Sequence, residues 1–350
     1  MDRFRSGLGS GFRRPDGSPT YPEFHLPEKL AGPRVEFTML PPGPDLPPAA
    51  FAGLDAVVLG LERVADDTFA PDGRLALVAR WGVGYERIDV DACTRHDAAL
   101  AIMPDGVRRP VAVAIMALML ALTTSLPAKD RFVRTRAGDW AERASITGLG
   151  LMGRTLGSVG MGNIGAEVFR LARPFGMRLI AHDPAVGPEQ AAALGVELVE
   201  LDELFRRADV VTVNCPLTPE TRHIVDARRI GLMKPTAYII NTSRGGTIDQ
   251  RALYRALVER RIAGAGLDVF DPEPPDPADP LLQLDNVILS PHTLVLTDQT
   301  PLLVGAAVER ALRAVMAGEP PTHVVNRAVL ERPSWRAKLA RHAGGGAAGA

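Results

Sequence analysis

Residues 155–183 read TLGSVGMGNIGAEVFRLARPFGMRLIAHD, and this stretch constrains the fold more than any other. A short apolar strand, 155–159, runs into Gly160-Met161-Gly162-Asn163-Ile164-Gly165. A helix-prone segment follows, and a second apolar strand, 178–182, leads to Asp183. The three glycines do different things. Gly160 permits a tight strand-to-helix turn, Gly162 lets the backbone approach a pyrophosphate, and Gly165 lets helix and strand pack closely. The helix start, at Asn163 and Ile164, offers N–H groups to phosphate oxygens. Asp183 falls about 20 residues past the turn, where a carboxylate accepts the ribose hydroxyls of NAD. That carboxylate repels the 2′-phosphate of NADP, and Pro184 stands where a basic residue would bind it, so NAD is favoured. A glycine turn alone is a weak signal. Here the strand, helix, second strand and acid agree.

At 350 residues the chain suits two domains, each able to bury a core. Its net charge of −1 points to neither nucleic acid nor an anionic membrane as partner. The two cysteines, Cys93 and Cys215, lack metal-ligand spacing, so no metal is expected, and they are too few for a disulfide framework. A reducing cytoplasm fits. The N-terminal MDRFRSGLGSGFRRPDGSP is basic without the apolar core of a signal peptide. The strongest apolar run, 111–122, reads as too short to cross a bilayer. Pro110 suits its first turn and Pro127 its end, which predicts a helix buried all round.

Residues 35–102 alternate apolar runs with turn signals. Strands are expected at 35–39, 56–60, 75–78 and 99–103, with a helical stretch near 89–96. PPGPDLPPAA at 41–50 is a proline-rich loop. A stronger series places strands at 155–159, 178–182, 210–214, 237–241, 264–268 and 286–290, the pattern of a doubly wound nucleotide domain. The expected class is α/β, with two flavodoxin- or Rossmann-like parallel-sheet domains. A helix is expected at 302–317, and AGGGAAGA closes the chain as a flexible tail.

Three polar sites follow apolar strands, where ligands of open α/β sheets bind. The first is Asn241-Thr242-Ser243-Arg244-Gly245-Gly246, in which a guanidinium beside glycines presents a planar fork to a carboxylate. The second is the proline-stiffened run from Asp268 to Pro275, which holds Glu273. The third is Ser290-Pro291-His292, an imidazole suited to proton transfer near neutral pH. Taken singly, each also reads as an ordinary surface arginine, a solvated acid or a structural histidine.

Together these segments resemble the D-isomer-specific 2-hydroxyacid dehydrogenase family over roughly residues 75–328. The carriers are WGVGYERID at 81–89, TLGSVGMGNIG at 155–165, CPLTPETRHIV at 215–225, MKPTAYIINTSRGGTID at 233–249, AGAGLDVFDPEPP at 263–275 and NVILSPH at 286–292. The resemblance implies an NAD-dependent enzyme interconverting a D-2-hydroxy acid and a 2-keto acid. Arg244 would bind the substrate carboxylate and polarise the keto oxygen. His292 would exchange a proton with that oxygen, and Glu273 would orient the ring. Asp268 would lie by the nicotinamide, Thr242 and Ser243 would bind the cofactor, and Cys215, Pro216 and Thr221 would line the adenosine side. The backbone of Val83 and Gly84 would hold the carboxylate. The implied layout is a substrate domain of residues 1–127 and 298–330, an inserted NAD domain of 128–297, a tail of 331–350, and a homodimer.

Some positions depart from the family pattern. Thr293 to Asp298 replace small residues after the histidine, Val113-Ala114 replaces a Glu-His pair, and Arg108-Arg109 adds two cations. Phosphoglycerate oxidation is the runner-up activity. Because the returning helix lies near the end of this sequence, no appended regulatory domain is expected, although length does not decide that reaction. An amide in place of Glu273 would have pointed to formate. Some relatives act as NAD-sensing corepressors with the same three residues, so a binding protein is the alternative from another class.

Overall fold

The computed structural model describes residues 3–14, 18–21, 26, 30 and 35–343. In chain order the strands are β1 (Phe4–Leu8), β2 (Val35–Met39), β3 (Ala56–Leu59), β4 (Leu77–Arg80), β5 (Ala99–Ala101), β6 (Thr155–Val159), β7 (Arg178–His182), β8 (Glu197–Leu198), β9 (Val210–Val213), β10 (Tyr238–Asn241), β11 (Gly264–Leu267) and β12 (Val287–Leu289). The α-helices among the described residues are α1 (Val90–Arg95), α2 (Pro104–Thr123), α3 (Leu126–Arg136), α4 (Asn163–Ala172), α5 (Pro188–Ala193), α6 (Leu201–Arg207), α7 (Ala227–Ile230), α8 (Gln250–Val258), α9 (Gln299–Met316) and α10 (Pro333–Ala343).

Two compact units result. Unit 1 comprises Met1–Val107 and Leu296–Ala350, and unit 2 comprises Arg108–Val295. The first break falls inside α2, well before the boundary expected at 127. The reason is packing: Ala112, Ile115, Met116, Leu118, Met119 and Leu122 of α2 belong to a core of unit 2. This helix differs from expectation in two further ways. It starts at Pro104 and carries Pro110 inside it. Pro110 has no N–H for the carbonyl four residues back, and burial of the surrounding turns offsets that lost bond. At twenty residues α2 is also long and apolar enough to span a bilayer, contrary to the estimate from the shorter run. Its buried face is that of a core helix. Pro127, expected to end this helix, instead lies in the first turn of α3.

Unit 1 carries a five-stranded parallel sheet in the order β2-β1-β3-β4-β5. Strand β1 was not foreseen. Its sequence, FRSGL, lacks an apolar run because its buried centre uses small residues: Ser6 is fully buried, and a Cβ on Gly7 would meet Leu54 at 2.8 Å. The C-terminal tail is a second correction. Residues 333–343 form α10, which docks on unit 1 through Trp335, Lys338 and Leu339, an i, i+3, i+4 face. The chain's last seven residues, within the expected flexible tail, lie outside the described residues.

Trp335 donates Nε1–H to the Ala76 carbonyl at 2.9 Å. The ammonium of Lys338 donates to the carbonyls of Leu75, His96 and Asp97 at 2.7, 2.6 and 2.8 Å. Burial pushes this ammonium down to about 8, so at neutral pH it still carries the three hydrogens those carbonyls use. Lys338→Met is expected to strip three buried acceptors of their donor and to lower unfolding free energy by about 2–4 kcal/mol. The check is a reduced urea midpoint at unchanged slope.

Unit 2 holds a seven-stranded parallel sheet in the order β12-β11-β10-β9-β6-β7-β8. Both faces are buried, so the strands read as apolar runs rather than alternating ones. In β10, Ile240 faces the core built with α2 and α4, while Ile239 faces the opposite core with α8. In β9, Val210 and Val211 divide in the same way. Each such side chain contributes ~1.5–3 kcal/mol on burial. Strand β8, only two residues long, gave no apolar signal.

Candidate active site

The carboxyl ends of the unit 2 strands bring the expected residues onto one sheet edge. Across that edge run, in order, the segments following β12, β11, β10, β9, β6 and β7. They carry His292, then Asp268 and Glu273, then Thr242 to Gly246, then Cys215 and Pro216, then the glycine loop, then Asp183. The strand order reverses direction between β9 and β6, the place where such sheets bind dinucleotides.

The turn after β10 is tied by one side chain. Asn241 accepts at Oδ1 from the N–H and hydroxyl of Ser243, at 3.0 and 2.8 Å. Its Nδ2 donates to the Arg244 carbonyl at 2.9 Å and to Thr247 Oγ1 at 3.2 Å. Its own carbonyl accepts from the N–H of Asp268 at 3.0 Å, joining this turn to the next strand. A Cβ on Gly245 would lie 1.9 Å from the Phe270 carbonyl oxygen, so only glycine fits where the two segments meet. Arg244 is half-buried, and one Nη1–H donates to the Ser243 carbonyl at 2.6 Å.

After β11 the chain turns back through Asp271, Pro272, Glu273 and Pro274, with cis peptides before both prolines. Glu273 Oε1 accepts from the Phe270 N–H at 3.0 Å, and Oε2 lies 2.9 Å from His292 Nδ1. A carboxylate can only accept, so Nδ1 carries the hydrogen and Nε2 is left for exchange with a ligand. The pair is partly solvated, with side chains 43% and 38% exposed, which leaves the ring a route to bulk protons. His292 has φ +57°, in the left-handed region, a conformation that costs of order 1 kcal/mol and is held by its surroundings. The holder is Asp268, whose Oδ1 accepts from the N–H groups of Thr293 and Leu294 at 3.0 and 3.3 Å.

The bracing roles of Asn241 and Asp268 were not read from the sequence. An asparagine two residues before a serine in a turn is a local signal for the first. Nothing local signals the second.

At the other end of the edge, Gly160 has φ +92°. A Cβ there would meet the backbone of Asn214 and Cys215 at 2.9 Å. Helix α4 begins at Asn163 and Ile164 with no side-chain cap, and Gly162 faces open space. A ten-residue helix whose uncapped start is bordered by a bare glycine fits a pyrophosphate. Asp183 Oδ2 accepts from the Met161 N–H at 2.7 Å and Oδ1 from Ala185 at 2.9 Å, and each oxygen keeps a lone pair for a ribose hydroxyl. Thr221 Oγ1 donates to the Pro216 carbonyl at 2.6 Å, shaping the loop after Cys215. Burial pushes the Cys215 thiol up to about 11, which makes it a wall group rather than a nucleophile. His182 bonds the Val199 carbonyl at 3.1 Å. Among the described residues no cluster suits a metal ion.

Two of the residues that depart from the family pattern are accounted for by their contacts within unit 2. Leu294 packs against the core built with α2 and α4. Arg109 pairs with Glu167 of α4 at 3.0 Å. Val83 and Gly84 follow β4 in unit 1, where Arg80 Nε donates to the Gly84 carbonyl at 2.6 Å.

Known proteins resemble this chain in sequence and in fold. Residues 116–293 match the model for the D-isomer specific 2-hydroxyacid dehydrogenase, NAD binding domain. The chain is 41% identical over 271 residues to a D-3-phosphoglycerate dehydrogenase of Methanocaldococcus jannaschii, covering 77% of this chain and 51% of that one. It is 40% identical over 281 residues to a glyoxylate reductase of Korarchaeum cryptofilum, covering 79% and 84%. It thus spans about half the length of the former and most of the latter. The crystal structure of a D-lactate dehydrogenase from Aquifex aeolicus, complexed with NAD and lactic acid, superposes with a TM-score of 0.74 at 27% identity, covering 90% of this chain and 96% of that one.

Proposed function

The chain belongs to the D-isomer specific 2-hydroxyacid dehydrogenase family, a family of NAD-dependent oxidoreductases, and from this premise we propose that it reduces a small 2-keto acid to the D-2-hydroxy acid and catalyses the reverse. The observation that carries the proposal is the 2.9 Å pairing of His292 with Glu273 on the sheet edge that also bears Arg244 and the glycine loop.

NAD, held by Gly160 to Gly165 and Asp183, supplies or accepts the hydride when bound. The protein's own groups do the rest. Arg244 grips the carboxylate and faces the keto oxygen. His292 donates the Nε2 proton to that oxygen as negative charge grows on it, so both groups bind the transition state more tightly than the ground state. Glu273 keeps the ring in the tautomer that leaves Nε2 toward substrate. In the oxidative direction the proton returns to Nε2.

The reading is tested with glyoxylate, hydroxypyruvate and pyruvate against NADH and NADPH, with 3-phosphoglycerate and NAD as a further arm because one relative acts on it. The expected result is turnover of at least one keto acid, with NADH preferred by about 10²-fold through Asp183. No turnover of any of them would refute it. The enzyme is read as cytoplasmic and as a homodimer. For the dimer the exposed apolar residues Leu126, Val133 and Trp140 on the 126–145 arm supply the contact face. Sedimentation is expected to give twice 37.4 kDa, and a monomer at micromolar concentration contradicts it.

A further inference from the structure

Strand β6 is buried along its whole length, yet it carries a hydroxyl. Ser158 is fully buried, between Leu156 and Val159 of the two apolar cores. A hydroxyl in such a place costs free energy unless it is hydrogen-bonded. Ser158 is bonded twice. Its hydrogen goes to the Gly160 carbonyl at 2.5 Å. Its oxygen accepts from Asn214 Nδ2 at 2.8 Å, and the same Nδ2 lies 3.3 Å from Thr212 Oγ1. The single hydroxyl hydrogen is already used, so the amide must turn its nitrogen, not its oxygen, toward Ser158. Thr212 lies in β9, directly opposite Ser158 in the ladder that joins β6 to β9.

The peptide that Ser158 grips is the one between Gly160 and Met161. Its carbonyl accepts from Ser158, and its N–H donates to Asp183 Oδ2 at 2.7 Å. Gly160 lacks a Cβ, so sterics leave the peptide after it free to rotate. The hydroxyl removes that freedom at the carbonyl end, and the N–H then meets Asp183 from one direction.

We propose that Ser158, held by Asn214, is a positioning residue for the ribose end of the NAD site, acting through the Gly160–Met161 peptide to fix the direction in which Asp183 presents its carboxylate. The donors all point the same way, from the Asn214 amide to the Ser158 hydroxyl to the peptide to Asp183, so each bond polarises the next. Every member lies within unit 2. The inference rests on the reading that Asp183 binds the ribose hydroxyls, and it adds the groups that aim it.

The test is a double-mutant cycle on cofactor affinity, read by calorimetric titration with NADH and with NADPH, so no turnover is needed. Ser158→Ala is expected to weaken NADH about tenfold, the effect of leaving a buried acceptor unbonded. NADPH is expected to weaken much less, because it has no 2′-hydroxyl for Asp183 to accept. A loop that had merely lost its shape would weaken both cofactors equally, and that outcome overturns the proposal. In an Asp183→Ala background, Ser158→Ala is expected to change NADH affinity by less than about twofold. A full loss there means that Ser158 acts by another route, which also overturns it. Asn214→Ala leaves Ser158 without its donor and is expected to lose NADH affinity about threefold or more with the same selectivity. It decides the matter in the same way should Ser158→Ala not fold. Asp183→Ala alone separates the two readings. If it leaves NADH affinity unchanged, the ribose-acid reading fails and this inference with it. If it weakens NADH while Ser158→Ala and Asn214→Ala do not, only the positioning role fails.

Discussion

Replacing His292 by glutamine lowers kcat for keto-acid reduction by about 10²–10⁴-fold, the usual worth of a positioned general acid. Glutamine keeps a hydrogen-bonding side chain and removes the titrating ring. The fold is expected to survive, because His292 is exposed and its loop is held by Asp268 through the backbone of Thr293 and Leu294. NADH affinity is expected to change little, since the glycine loop and Asp183 stand at the far end of the same edge. Steady-state kinetics beside NADH fluorescence titration separates the two effects. A weakened titration with intact turnover would move His292 out of catalysis and into cofactor binding. Glu273→Gln is expected to lose less, because the ring remains but its Nδ1–H then faces an amide that can present the wrong group.

The second large effect is at Arg244. Arg244→Lys keeps the charge and loses the planar fork, so kcat/KM for every keto acid falls by about 10²–10³-fold, with KM raised and kcat lowered together. The split matters. A residue that only held the turn would be replaced without a kinetic signature once the protein folded, and the turn is already tied by Asn241, which reaches the Arg244 carbonyl rather than its side chain. Arg244→Ala with added guanidinium is expected to recover part of the rate. A variant with normal KM for substrate would contradict the assignment.

How much of this was readable in the chain depends on how local the signal was. The β6–α4–β7 unit was legible because its glycine spacing, flanking strands and acid form a pattern contiguous in sequence, with Gly160 at φ +92° in the turn. Arg244, Glu273 and His292 were each legible as strand-end residues. Their union came only from the family resemblance, since Glu273 and His292 are joined by adjacent parallel strands, β11 and β12, and pairing is a tertiary fact. Strand β1 escaped because a buried centre of Ser6 and Gly7 lacks the apolar run that marks a strand. Helix α10 escaped because two apolar residues and a buried lysine make up its contact face amid WRAKLARH. The core position of Leu294 and the pairing of Arg109 with Glu167 were likewise set by neighbours distant in sequence.

The most direct test of the central claim follows the transferred hydrogen. Hydroxypyruvate is reduced by the purified protein with NADH deuterated at the transferring C4 position, and the glycerate is examined by mass spectrometry and chiral chromatography. The account predicts one deuterium at C2 and the D-enantiomer from the wild type, with the same product formed far more slowly by His292→Gln. Glycerate without deuterium, or the L-enantiomer, would contradict it.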